Sequence, residues 1–366
     1  MSTSSWLGGL GTRILSADGP AIASASAHLD RLTKPPGSLG RLEGIAIQLA
    51  GIRGRLVTDI ERPMVIVFAA DHGVASRGVS AYPPEVTAQM VANFVAGGAA
   101  INVLARAASA GLVVVDIGIA GDVGVATGQG LVAGSTSGAR LVRARVAPGT
   151  RDLSIGPAMT RDETLAAIDV GRGAVVSLVD DGADLIGVGE MGIGNTTAAS
   201  AIVAALTGLP ASAVTGRGTG VDEPAFMRKV ALIDAALVLH RLDPGDPIAV
   251  LAVVGGLEIA GLVGAILGAA EARIPVVLDG FITGAAALLA AGLAPNLPAR
   301  LIAAHRSVEP GHAIVLDRLG LAPILELDLR LGEGSGAALA IPIIRAAARI
   351  GGEMATFEQA AVSGPA

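Results

Sequence analysis

The sequence predicts an α/β fold, a doubly wound and mainly parallel sheet with a smaller helical unit. Two observations carry this. Short runs of β-branched residues recur without polar alternation, the pattern of strands covered on both faces. Each run ends in Gly, Asp or Asn and is followed by an Ala-rich stretch of helical composition, so strands and helices alternate. In such sheets ligands bind beyond the carboxyl ends of the strands.

Taken in order, the strand candidates are MVIVFAADHG (64–73), LVVVDIGIAG (112–121), ADLIGVGEMG (183–192), IAVLAVVGG (248–256) and IPVVLDG (274–280). HAIVLDRLG (312–320) and PILELDLRLGEG (323–334) extend the series. Residues 60–335 are therefore expected to form the large α/β domain. Residues 1–59 and 336–366 have helical composition and are expected to pack together as a small helical domain. The segment Arg143 to Thr160, rich in Gly, Pro and charge, is the expected linker.

Composition narrows the function. Hydrophobic residues make up 52% of the 366, but aromatics only 2%, so the core is built from Ala, Val, Leu and Ile around 51 glycines. The absence of cysteine excludes disulfides, thiolate metal sites and a Cys nucleophile. A net charge of −6 without a basic cluster argues against nucleic acid or anionic membrane as partner. The apolar stretch from Ile248 to Ala270 is interrupted by Gly255, Gly256 and Glu258, which favours a buried strand and helix over a membrane span. The start, MSTSSWLGGL, lacks the basic and apolar pattern of a secretory signal, and a cytoplasmic location is expected.

Several loops carry chemistry. GVGEMG (187–192) precedes an apparent helix and matches the glycine pattern of a dinucleotide site. No acid follows between Thr196 and Gly220 to hold a ribose, and Glu190 inside the loop would repel a pyrophosphate. The loop reads better as a site for one phosphate and a sugar: glycines permit close approach, helix amides near Asn195 attract an anion, and Thr196 and Thr197 add hydroxyls. Glu190 would then accept bonds from ribose hydroxyls. TGRGTGVDEP (215–224) is a second glycine-rich turn with Arg217, Arg228 and Lys229 nearby. Each of the two also reads as a plain capped turn into a helix. A P-loop is absent. Asp180 and Asp181 lack the turn that would make them a magnesium-pyrophosphate site. The five histidines show no zinc-ligand spacing, so no metal is expected. Asp71 and His72 sit at a strand end, as a catalytic or a structural pair.

Two further segments stand out. In VSAYPPEVTAQM (79–90), Tyr82, two prolines and Gln89 can form a flat slot for a planar ring, or a rigid loop leading into a helix. In LGEGSGAALA (331–340), Glu333 lies between Gly332 and Gly334, just past a predicted strand. It favours the start of the following helix, or it is a general base that takes an N–H proton from a heterocycle.

Together these segments resemble the nicotinate-nucleotide:dimethylbenzimidazole phosphoribosyltransferase family. The matching stretches are LTKPPGSLGRLE, FAADHGVASRGVSAYPPEVTAQMV, GGAAINVLAR, GVGEMGIGNTTAASAI, GTGVDE, VVLDGFITGAAAL, AHRSVEPGH and LDLRLGEGSGAALA, spanning about residues 32 to 345. The resemblance implies a homodimer of a Rossmann-like large domain and a small helical domain. It implies transfer of 5-phosphoribosyl from nicotinate mononucleotide to 5,6-dimethylbenzimidazole, without a cofactor, for the nucleotide loop of cobalamin. By motif, Glu333 is the expected base. Ser80, Tyr82, Gln89 and Leu331 are the positions expected around the benzimidazole. Glu190, Gly192, Gly194, Asn195 and Thr196 match the ribose-phosphate loop, and Lys229 and Ser307 are expected near the phosphate. The same chemistry on another planar base or phenol, a nucleotide-dependent oxidoreductase, and a silent nucleotide-binding module are the alternatives.

Overall fold

The computed structural model describes residues 2–124 and 138–364. Among these residues six parallel strands form one sheet: β1 (Pro63–Ala70), β2 (Gly111–Gly118), β3 (Arg140–Arg143), β4 (Leu185–Met191), β5 (Val276–Leu278) and β6 (Leu301–Ala303). Their order is β3-β2-β1-β4-β5-β6, the Rossmann arrangement. The chain leaves β1 toward one edge, then returns to β4 on its other side. A crevice therefore opens at the carboxyl ends of β1 and β4, where Ala69 pairs with Met191.

The strand sequences explain why both faces are covered. Successive side chains point to opposite faces: Ile66, Phe68, Val113, Val115, Ile186 and Val188 enter one core, and Val65, Val67, Leu112, Val114 and Leu185 enter the other. The first core is shared with helices Arg161–Asp180, Asn195–Thr207, Leu257–Glu271 and Phe281–Leu293. The second is shared with Arg41–Arg53, Val86–Ala96, Ala100–Ala107 and Ser335–Glu353.

Glycine and alanine let helices approach at backbone distance. A Cβ on Gly264 of Leu257–Glu271 would lie 1.9 Å from the carbonyl oxygen of Ile168 in Arg161–Asp180. Here the small-residue composition has its use: this helix is buried along nearly its whole length, and bulk would force the pair apart.

Three strand assignments are corrected. IAVLAVVGG folds as helix Pro247–Val254, and HAIVLDRLG lies within helix Pro310–Leu319. Each has a proline in its first turn, and Asp246 caps the former by accepting from Ala249 N–H at 3.0 Å. Short apolar runs do not distinguish a buried strand from a buried helix. PILELDLRLGEG runs as a loop, with one bridge between Leu325 and His305. The edge strands β3 and β6, three or four residues long, escaped the sequence reading. The apolar stretch 248–270 is two buried helices separated by Gly255 and Gly256. Among the described residues, Val86–Ala107 is long and apolar enough to cross a membrane, but it is two helices broken at Gly97 (φ +88°).

The expected linker is a strapped-down loop. Thr150 N–H donates to Asp71 O at 2.9 Å, and the amides of Ala158 and Met159 donate to the Val253 and Ala252 carbonyls at 2.9 and 2.8 Å. At the termini, helices Gly19–Asp30, Arg41–Arg53 and Ser335–Glu353 pack on one another. The last of them also lies against β1, β4 and β5. Trp6 and Leu10, by contrast, join the core under Leu257–Glu271, where Trp6 Nε1 donates to Glu271 at 2.7 Å.

Candidate active site

At the crevice β4 ends in a tight turn, and Gly194, at φ +98°, begins helix Asn195–Thr207. Asn195 N–H bonds back to Gly192 O at 3.1 Å, and Ile193 N–H donates to the Thr87 hydroxyl at 3.2 Å. The turn is thereby tied to helix Val86–Ala96. Helix Phe281–Leu293 starts beside it, after β5, and helix Pro310–Leu319 starts after β6. None of these three N-termini is capped by a side chain among the described residues. All three line one cleft through Gly192, Asn195, Thr196, Phe281, Ser307 and Glu309. Converging helix amides give the cleft a positive end suited to an anion.

Lys229 strengthens that end. It is fully buried, and its Nζ donates to the Thr196 hydroxyl at 2.8 Å. Burial lowers its pKa to about 8, opposed by the nearby carboxylate of Glu309. Glu309 in turn accepts from Gly218 N–H at 2.9 Å, fixing the TGRGTG turn.

Buried acids stand in and behind the same cleft. Glu190, at the end of β4, is buried and accepts from the Asn195 amide. Burial raises its pKa well above the usual carboxylate range, and the charges of Asp279 and Glu258 push the same way. Glu333 stands between Gly332 and Gly334 in a turn where all three residues have positive φ. Its N–H donates to Glu190 O at 3.2 Å. A Cβ on Gly189 would lie 2.4 Å from Gly334 N, so only glycine in β4 lets the two segments meet. Glu333 is 4% exposed, and burial lifts its carboxyl to about 7 against a backbone hydrogen bond with Ile101. Its Oε2 has no hydrogen-bond partner among the described residues. A carboxyl that titrates near neutrality with one free oxygen is equipped for general base chemistry.

Asp279, after β5, holds this turn. It accepts from the N–H groups of Gly334, Gly336 and Ala337 at 3.1, 2.6 and 3.1 Å, capping helix Ser335–Glu353. Burial raises its pKa to about 7 even against those three bonds. The capping role that the sequence offered to Glu333 thus belongs to Asp279.

The ring segment borders the cleft. Ser80 Oγ lies 3.2 Å from Thr219 Oγ1, which also accepts from Ala81 N–H at 3.0 Å. Thr219 and Leu331 line the cleft. Tyr82 and Leu331 are each 55% exposed, and Gln89 is exposed on helix Val86–Ala96. The structure thus brings Glu190, Gly192, Asn195, Thr196, Ser307 and Leu331 to one cleft, with Glu333 and Lys229 directly behind its wall. Tyr82 and Gln89 are exposed and do not line it.

Sequence reasoning missed Asp279, Glu258, His305 and Glu309. Asp279 had a signal, an acid ending the run VVLDG; His305 and Glu309 lay inside AHRSVEPGH, from which only Ser307 was taken. Asp180 and Asp181 end helix Arg161–Asp180, at the opposite end of β4 from the crevice.

Comparison with known proteins gives the family. A phosphoribosyltransferase family model matches residues 14–362. The nicotinate-nucleotide–dimethylbenzimidazole phosphoribosyltransferase of Chloroflexus aggregans is 56% identical over 346 residues, 94% of this chain and 95% of its own. That of Geobacter sulfurreducens is 52% identical over 352 residues, 96% of this chain and 97% of its own. The crystal structure of the Thermus thermophilus enzyme of the same name matches at a TM-score of 0.87 and 48% identity, covering 95% of this chain and all of that one. From a family model that spans nearly the whole chain, and from relatives more than half identical along it, we conclude that the chain belongs to the phosphoribosyltransferase family.

Proposed function

We propose that the protein transfers the 5-phosphoribosyl group of nicotinate mononucleotide to a ring nitrogen of 5,6-dimethylbenzimidazole, giving α-ribazole 5'-phosphate and nicotinate for the cobalamin nucleotide loop. The observation that carries this reading is Glu333: buried, titrating near 7, with Oε2 unpaired among the described residues, directly behind the wall of a cleft that three helix N-termini line. Relatives that bear this activity in their names, at 50–56% identity, support it.

Glu333 takes the N–H proton of the benzimidazole, and the other ring nitrogen attacks the anomeric carbon. The bond from that carbon to the pyridinium nitrogen breaks with its electron pair on nicotinate, which leaves as a neutral ring and needs no acid. Attack opposite the leaving group inverts β to α. Glu190, which burial favours in its neutral form, accepts from ribose hydroxyls. Gly192, Gly194, Asn195 and Thr196 wrap the ribose phosphate, and Lys229 and Ser307 bind its oxygens. Ser80, Tyr82, Gln89 and Leu331 take the ring. No cofactor enters this scheme.

The exposure of Tyr82 and Leu331 favours a second acceptor reading, in which other planar bases or phenols are used. A dinucleotide-dependent oxidoreductase is disfavoured, because the buried Glu190 lies where a pyrophosphate would pass. Homodimer assembly and a cytoplasmic location belong to the same proposal. Incubating the pure protein with both substrates and separating products by chromatography tests it. Equal amounts of α-ribazole 5'-phosphate and nicotinate are expected; binding of the mononucleotide with neither product would overturn it.

A further inference from the structure

Directly beneath the ribose-phosphate turn lies a buried pair that the scheme above does not use. His72, two residues past β1, places Nε2 2.7 Å from Glu258 Oε1, and the two side chains are 1% and 0% exposed. Burial works against a charged imidazole, yet Glu258 and Asp71 together raise the His72 pKa above its ordinary value.

The ring stands in a slot with glycine walls. On one side, a Cβ on Gly192 would lie 3.4 Å from His72 Cδ2 and 2.6 Å from the Ala70 carbonyl; one on Gly194 would lie 3.4 Å from His72 Cβ. On the other, a Cβ on Gly256 would lie 2.4 Å from His72 Cε1. Gly256 is the N-cap of helix Leu257–Glu271, whose first turn carries Glu258. The imidazole therefore fills the space between that helix and the turn that aims Asn195 and Glu190 into the cleft.

We propose that His72, held by Glu258, is a positioning residue that fixes the Gly192–Gly194 turn for the phosphoribosyl donor. The inference rests on the phosphoribosyl reading and deepens it. It bears first on the donor half of the site: the His72 ring packs against the Gly192–Gly194 turn, whereas Ser80 and Ala81 are anchored through Thr219, so loss of the pair weakens the mononucleotide more than the acceptor. Misplacement of a positioning group by a fraction of an ångström to about 1 Å costs on the order of ten- to a hundredfold in rate.

The test compares His72→Asn, whose amide stops short of Glu258, with His72→Gln, whose amide nitrogen stands where Nε2 does. Steady-state rates, calorimetric binding of nicotinate mononucleotide and melting temperature are measured on the whole enzyme. His72→Asn is expected to lose about tenfold or more in kcat/KM for the mononucleotide, with a clearly smaller change in the KM for dimethylbenzimidazole. His72→Gln is expected to recover most of that loss. A lower melting temperature with donor kcat/KM intact makes the pair structural and overturns the proposal, as does an equal loss toward both substrates. Should His72→Asn fail to fold, Glu258→Gln reads the same split between donor and acceptor. A wild-type protein that does not bind the mononucleotide instead sinks the phosphoribosyl reading itself.

Discussion

The amide of Glu333 donates to the carbonyl oxygen of Glu190 at 3.2 Å. One backbone bond thus joins the last residues of β4 to the turn before helix Ser335–Glu353, and sets the expected base beside the expected ribose ligand. The two carboxyls are also coupled by charge, since ionised Glu333 helps raise the Glu190 pKa. Only one of them readily carries a full charge near neutrality, an arrangement that separates base from neutral hydrogen-bonding partner.

Glu333→Gln is expected to bind nicotinate mononucleotide normally and to lose most turnover, on the order of a hundredfold or more. The same variant changes stability in a direction fixed by linkage. The folded carboxyl titrates near 7, above its ordinary 4.5, so between these values the folded chain holds a proton that the unfolded chain has released. Stability from this group is present below pH 4.5 and is lost as pH rises through 7. The Gln variant should therefore melt above the wild type at pH 8 and close to it at pH 4.5; calorimetry at both values checks this.

Lys229 gives the alkaline side of the activity profile. It is charged below about 8 and loses its proton above. Wild-type kcat/KM for the mononucleotide should rise as Glu333 ionises through about 7 and fall as Lys229 deprotonates through about 8. Lys229→Met keeps the buried volume and removes the charge. It should weaken mononucleotide binding by roughly 1.5–3 kcal/mol, the worth of a hydrogen bond to a charged group, and abolish the falling limb. Unchanged binding would remove Lys229 from the phosphate site.

Much of this site was legible because its parts are local in sequence. Gly192, Gly194 and Asn195 make one turn, and Gly332, Glu333 and Gly334 another; each announces itself through glycine beside a polar residue. Asp279 and His72 act through partners 55 and 186 residues away in the chain, Gly334 and Glu258, and no local pattern encodes such a pairing. The strand readings at 248–256 and 312–320 failed for a related reason. A run that is apolar on every side is compatible with burial in either conformation, and the sheet had already taken its strands. β6 was invisible because three residues suffice when helix Arg41–Arg53 covers the edge, with Gln48 Nε2 donating to Leu301 O at 2.9 Å.

The helix crossing beneath the sheet supplies a test of the fold alone. Gly264→Ala puts a methyl 1.9 Å from the Ile168 carbonyl oxygen, which is backbone and has no rotamer to change. Helices Arg161–Asp180 and Leu257–Glu271 must then separate, at a cost of about 2–3 kcal/mol by the usual penalty for overpacking. Gly173→Ala, on the same helix as Ile168 with open space around it, should be neutral or slightly stabilising through helix propensity. Denaturant unfolding of the two variants compares a tight glycine with a free one.

Asp279 offers the last test, because its two oxygens have different tasks. Oδ1 accepts from Gly336 and Ala337, and Oδ2 accepts from Gly334, the residue next to Glu333. Asp279→Ala leaves three buried amides without their acceptor and should cost about 1–3 kcal/mol of stability. Asp279→Asn keeps an oxygen for Gly336 and Ala337 but turns an NH2 toward Gly334 N–H, so two donors face each other. The helix cap then survives in part while the turn under Glu333 shifts. Asn is therefore expected to be the more stable variant and still to turn over on the order of tenfold slower than wild type. Measuring unfolding and kcat on both variants separates the two tasks: if Asn keeps full activity, Asp279 only caps the helix, and Glu333 is held by its glycines, by Glu190 and by the Ile101 backbone.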